Sequence, residues 1–190
     1  MRKLSFLLAF SVAALISAFG QSQPVARKVD NEFVQKAFGD QFTLLPEVGA
    51  AFGDLDGDGV EDVVIAARCK NPLLDQGDRN YTVIDPYYDY FGYGDPKLTT
   101  TFIEAQPDRK GLVMLIIHGA GPDAWRSATP KAKFVVVNLP FKTMSVRKMK
   151  LRKRTVEALY IEEASDFGDT SALVFDGKRF HYIPMGGDMQ

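Results

Sequence analysis

The feature that most constrains the fold is a series of short apolar runs, each bounded by glycine, proline or aspartate. Runs rich in β-branched and aromatic residues between such turn-forming residues are typical of β-strands. The pattern predicts eight strands, near residues 41–45, 62–68, 99–104, 112–118, 133–138, 157–162, 171–175 and 179–183. We therefore expect a mainly β fold of antiparallel sheets, either blade-like or arranged as a partial propeller or sandwich.

One short N-terminal helix is predicted before the first strand. Four apolar residues recur there at helical spacing: Phe33, Val34, Ala37 and Phe38. Asp30 is a suitable N-cap and Gly39 a suitable stop.

A hairpin is predicted between the last two strands. Asp176-Gly177 lies between them, and this dipeptide favours a type I′ turn, which needs positive φ at both central residues.

The N-terminus has the order of a secretory signal peptide. Arg2 and Lys3 precede an apolar run over residues 4–16, and Ala18-Phe19-Gly20 supplies small residues at a cleavage site. The apolar run is short for a membrane span. We expect a signal peptide over residues 1–20, a flexible lead-in over 21–29 and a single β-rich domain over 30–190. The protein would then be secreted or periplasmic, with no transmembrane segment after cleavage.

Charge and cysteine content exclude some classes of function and stabilisation. The formal net charge of −1 gives no general reason to expect a nucleic-acid partner. Cys69 is the only cysteine, so an internal disulfide is impossible and stability must come from the core, with a bound metal as a further source.

A carboxylate series over residues 54–62 indicates the metal. Asp54, Asp56, Asp58 and Asp62 stand at positions 1, 3, 5 and 9 of this stretch. Calcium takes six to eight oxygen ligands, so several short carboxylates must converge on one point. Gly57 and Gly59 permit the φ angles of a tightly curled loop. The backbone carbonyl of Val60, at position 7, would turn inward as a further ligand.

The loop is not an EF-hand. That motif needs a glutamate at position 12 and a helix on each side. Position 12 here is Ile65, within an apolar β-branched run. The loop therefore leads into a strand.

Residues 52–64, Phe-Gly-Asp-Leu-Asp-Gly-Asp-Gly-Val-Glu-Asp-Val-Val, resemble one copy of the FG-GAP or VCBS-type repeat. In that family the aspartate series binds calcium at the start of a blade strand, in integrin α-chain propellers and many secreted bacterial proteins. The resemblance implies Asp54, Asp56, Asp58 and Asp62 as side-chain ligands and Val60 as the carbonyl ligand. Only one copy occurs here, so it implies no complete propeller. We expect a non-enzymatic, exported calcium-binding domain that serves binding or adhesion at the cell envelope.

His118 suggests an alternative function. His118-Gly119-Ala120-Gly121 follows an apolar run and resembles the oxyanion segment of some α/β-hydrolases. A secreted hydrolase using carboxylates and His118 is thus an alternative, although the chain contains no Gly-x-Ser-x-Gly motif.

The tract 142–154 suggests a second alternative. It holds seven basic residues interleaved with apolar ones: Lys142, Arg147, Lys148, Lys150, Arg152, Lys153 and Arg154. The pattern fits a strand pair with one solvated face, and it also fits an envelope protein that binds polyanions.

Aromatic residues crowd residues 87–93. Tyr87, Tyr88, Tyr90, Phe91 and Tyr93 lie in a long stretch with proline and glycine. Aromatic rings on such a loop offer an apolar face with a polar rim. This segment, Tyr87–Tyr93, is the predicted contact for a carbohydrate or protein ligand.

Overall fold

The computed structural model describes residues 28–93, 109–165 and 168–187. Within these ranges, ten strands, two α-helices and one 3₁₀ segment follow one another in the order α1 (Asn31–Phe38), β1 (Phe42–Leu44), β2 (Ala50–Gly53), β3 (Asp62–Cys69), β4 (Thr82–Ile84), α2 (Pro86–Phe91), β5 (Leu112–His118), the 3₁₀ segment (Gly121–Arg126), β6 (Ala132–Val136), β7 (Phe141–Lys150), β8 (Thr155–Glu163), β9 (Asp169–Phe175) and β10 (Phe180–Gly187). The prediction of a mainly β fold is confirmed.

The strands form two open sheets. The first has the order β1-β3-β5-β6-β4, and β2 also pairs with β3; the second is the meander β10-β9-β8-β7. Every pair is antiparallel except β4 with β6. Such stacked open sheets correspond to the sandwich among the expected arrangements.

Both faces of the first sheet are buried, as β3 shows. Val63, Ile65 and Ala67 face a cluster with α1 and Trp125. Val64 and Ala66 face the second sheet. Successive side chains of a strand point to opposite faces. The sequence of a strand that is covered on both faces is therefore a continuous apolar run.

The helix predicted from the spacing of its apolar residues is confirmed as α1. Asp30 accepts a hydrogen bond from the backbone N–H of Phe33 at 2.9 Å. The helix ends at Gly39, whose φ of 114° is a conformation that favours glycine. Val34 and Phe38 are buried against the first sheet.

The predicted hairpin is present, but its turn is not type I′. β9 and β10 pair from Phe175 with Phe180, which leaves a loop of four residues. Asp176 does not have positive φ. Its carboxylate instead accepts hydrogen bonds from the backbone N–H groups of Lys178 and Arg179, at 2.8 and 3.0 Å.

Seven of the eight predicted strands are observed. The eighth, at 99–104, lies outside the described residues, as do the predicted signal peptide and most of the lead-in. Three strands were not among the eight: β2, β4 and β7. No helix within the described ranges is long and apolar enough to cross a membrane.

Candidate metal centre

The carboxylate loop joins β2 to β3 at one end of the first sheet. Gly57 and Gly59 have φ of 78° and 84°, so the backbone curls at the two predicted positions. Leu55 is buried, and it anchors the loop in the cluster between the sheets.

Three of the predicted ligands converge. Asp54, Asp56 and Asp58 each offer a carboxylate oxygen, and these oxygens lie within 4.8 Å of one another. Asp54 also shapes the loop, because its carboxylate accepts hydrogen bonds from the N–H groups of Gly57 and Gly59 at 2.8 and 2.9 Å. The arrangement places hard oxygen donors around one point, as calcium requires.

The two remaining predicted ligands have other contacts in this structure. Asp62, at the start of β3, is fully buried. Its two oxygens accept hydrogen bonds from the backbone N–H groups of Leu55 and Gly119, both at 2.8 Å. Burial raises the pKa of Asp62 to about 7. The N–H of Val60 donates to the carboxylate of Asp58 at 2.8 Å.

A lysine from a distant part of the chain contacts the cluster. The ammonium of Lys131 lies 2.7 Å from an oxygen of Asp56 and 2.6 Å from one of Asp58. These contacts hold the pKa of Asp58 below its ordinary value and raise that of Lys131. Lys131 precedes β6 and is 75 residues from Asp56 in sequence. No local spacing reveals this contact, and the sequence analysis missed it.

Contacts on either side tie the loop to the second sheet and to the 3₁₀ segment. Glu157 of β8 accepts a hydrogen bond from the N–H of Asp54 at 2.6 Å. The indole N–H of Trp125 donates to Glu61 at 3.2 Å. A cation bound in this loop would therefore stabilise the junction of the two sheets.

His118 lies behind the cluster at the end of β5. It is 2% exposed, and its Nδ1 is 3.7 Å from an oxygen of Asp56. Its ring packs among Phe134, Phe175 and Phe180. Burial lowers its pKa, and Nε2 has no hydrogen-bond partner. Among the described residues neither ring nitrogen is hydrogen-bonded to a hydroxyl or thiol, the arrangement that nucleophilic catalysis uses.

The basic tract forms most of β7 and the turn to β8. Its seven basic side chains are exposed, while Met149 packs with Ala158 and Val174. Lys148 and Arg154 line a cleft of about 450 Å³ together with Asp54 and Asp56.

The aromatic segment contains a helix that sequence reasoning missed. Asp85 caps α2 by accepting from the N–H of Tyr88 at 3.0 Å, and Gly92 ends it with left-handed φ. A helix of six residues is too short for a periodic signal. Four of the five exposed large apolar side chains among the described residues lie at this corner: Tyr90, Phe91, Tyr93 and Met185 of β10.

The chain was compared with known proteins in three ways. Neither a protein-family model, nor a curated protein, nor a solved structure matches it.

Proposed function

We propose that this protein is an exported, non-enzymatic β-domain in which one calcium ion joins the two sheets, and that it serves binding at the cell envelope. The observation that carries the calcium assignment is the convergence of Asp54, Asp56 and Asp58 within 4.8 Å, in a loop bonded to the second sheet through Glu157. Three carboxylates this close repel one another, and the single ammonium of Lys131 leaves the cluster with a net negative charge.

The proposal assigns different roles to the other loop residues. Asp62 orients the loop through its two backbone hydrogen bonds. Direct ligation by Asp62 and by the carbonyl of Val60 remains a prediction. The non-enzymatic assignment is supported by the surroundings of His118, which offer it phenylalanine rings and one carboxylate.

Calcium-dependent thermal stability tests the proposal. Extracellular calcium modules have a Kd of about 10⁻⁴–10⁻³ M. At a Kd of ~10⁻⁴ M, 1 mM calcium stabilises the folded state by about 1.4 kcal/mol. For a domain of this size that raises Tm by roughly 3–6 °C.

Matched variants distinguish calcium binding at this loop from a general effect of salt on Tm. Asp56→Asn and Asp58→Asn should abolish the calcium-dependent rise in Tm, whereas Asp78→Asn, at an exposed position away from the loop, should keep it. Magnesium should give a smaller rise, because it dehydrates reluctantly and demands octahedral geometry. An equal rise in wild type and Asp56→Asn would remove the basis of the proposal.

A separate observation supports polyanion binding as a second candidate function. The side chains of Lys148 and Arg154 have no hydrogen-bond or ion-pair partner among the described residues, and both residues line one cleft. If this second function holds, retention on heparin will fall when Lys148 and Arg154 are changed to glutamate. Unchanged retention would exclude it.

A further inference from the structure

A second cleft lies between α2 and the end of the second sheet, away from the carboxylate loop. Its volume is about 280 Å³. Tyr87 and Tyr88 of α2 contribute aromatic walls, and Asn138, Glu163 and Asp169 contribute polar groups. This size is near the lower end for small-molecule pockets, so it suits one compact ligand unit.

Glu163 is the group that points to a ligand. It is 9% exposed, at the end of β8. One carboxylate oxygen accepts the hydroxyl of Tyr182 at 2.7 Å. The other has no hydrogen-bond partner among the described residues. This oxygen is open to solvent, and a ligand hydroxyl in the cleft would replace water as its hydrogen-bond donor.

Neighbouring contacts hold the polar groups in place. The side-chain N–H of Asn138 donates to Asp85 at 2.6 Å, which fixes the amide. The backbone N–H of Asp169 donates to the hydroxyl of Ser165 at 3.1 Å. Arg109 also lines the cleft, so residues with donor groups and residues with acceptor groups surround the same small volume. A ligand with several hydroxyl groups matches such a mixed lining, because a hydroxyl both donates and accepts.

The aromatic walls are fixed in the same way. The rings of Tyr87 and Tyr88 are edge-to-face with centroids 5.7 Å apart, and Tyr87 also packs edge-to-face on Tyr182 at 5.2 Å. Rings held in this manner lose little conformational freedom when a ligand binds.

An exposed aromatic surface extends from the cleft. Tyr88 packs on Tyr93 at 6.0 Å, and Tyr93 stacks on Phe91 with an interplanar angle of 22°. Phe91 and Tyr93 are 47% and 75% exposed. A ligand longer than one unit would meet a second apolar platform next to the cleft.

We propose that this cleft binds one unit of a neutral oligosaccharide, with its hydroxyls on Glu163 and Asp169 and its apolar ring face on Tyr88, while the next unit stacks on Phe91 and Tyr93. The inference gives a ligand class to the binding role proposed above and is independent of the calcium site.

Saturation-transfer NMR on the full protein tests this directly. The probes are glucose, galactose, mannose and N-acetylglucosamine, each with its β-1,4-linked tetramer. We expect transfer to at least one monosaccharide, and tighter binding of the matching tetramer. Glu163→Gln and Asp169→Asn should each weaken binding of both forms about tenfold or more. Tyr93→Ala should weaken only the tetramer.

Controls separate binding from folding and from calcium. Tyr160→Ala, on the other face of the second sheet, should leave sugar binding unchanged, and circular dichroism checks that every variant is folded. Chelation of calcium should also leave sugar binding unchanged. Failure of the calcium proposal would therefore be seen only in the thermal titration with calcium, and not in the NMR experiment. The proposal is overturned if no sugar shows transfer or if both carboxylate variants bind like wild type.

Discussion

Replacing Lys131 provides the sharpest test of whether calcium binds the carboxylate loop in competition with the lysine ammonium. Its ammonium contacts Asp56 and Asp58 at 2.7 and 2.6 Å, so it occupies the carboxylates that calcium would use. We expect Lys131→Met to be less stable than wild type without calcium and to gain more stability when calcium is added.

The magnitude follows from the exposure of the pair. Lys131 is 45% exposed, so water screens its interaction with the carboxylates, which is then worth about 1 kcal/mol or less. If calcium must displace that interaction, removing it lowers Kd about fivefold. At 1 mM calcium the stabilisation would rise from about 1.4 to about 2.3 kcal/mol. The corresponding rise in Tm is roughly 5–9 °C, against roughly 3–6 °C in wild type.

Differential scanning calorimetry in a chelator and in 1 mM calcium measures both quantities. Lys131→Arg is the matched control, because it keeps the positive charge and should behave as wild type. A calcium-dependent rise in Lys131→Met no larger than that of wild type would refute competition between the ammonium and the ion.

Three further predictions concern the surroundings of the loop. Gly119→Ala should lower the free energy of unfolding by about 1–3 kcal/mol, because a Cβ there would press on the carbonyl of Glu61 and lie 2.8 Å from the carbonyl carbon of Ala124; urea unfolding equal to wild type would contradict this. Ala124→Gly should raise Tm by roughly 2–4 °C, because Ala124 has φ of 51° and ψ of −129° and relief of such strain is worth about 1 kcal/mol. In calcium-free buffer the buried Asp62 keeps its proton to about pH 7, whereas its ordinary pKa is 3.8. Its contribution to stability is therefore complete below about pH 4 and is lost as the pH rises to about 7. Asp62→Asn should flatten this part of the profile in urea titrations between pH 4 and 8, and an unaltered slope would show that another group is responsible.

Local sequence patterns were sufficient to predict those elements whose formation depends on residues close together in the chain. The cap of α1 and its apolar spacing involve residues within one or two turns of each other, and the helix was predicted at its observed bounds. β5 was predicted in the same way, since its apolar run is continuous from 112 to 117. The curl of the carboxylate loop also follows from two glycines within the loop.

Short or mixed elements were missed because their patterns are weak. β4 has three residues and α2 has six, too few for a period to be recognised. The turn after β9 shows a competing interaction: the side chain of Asp176 binds the backbone N–H groups of the loop, and this local bonding favours a longer turn over the type I′ geometry.

By itself, the sequence determined seven of the strands, the first helix and the convergence of three carboxylates, because each depends on residues close together in the chain. Only the tertiary structure decided what surrounds them. Lys131, Glu157 and Gly119 reach the loop from 57 to 103 residues away, and Glu163 and Tyr88 meet across the second cleft. Gly119 and Lys131 reach the loop because β3, β5 and β6 pair side by side. Glu157 reaches it because the second sheet stacks on the first. Neither strand pairing nor sheet stacking leaves a local signal in the sequence.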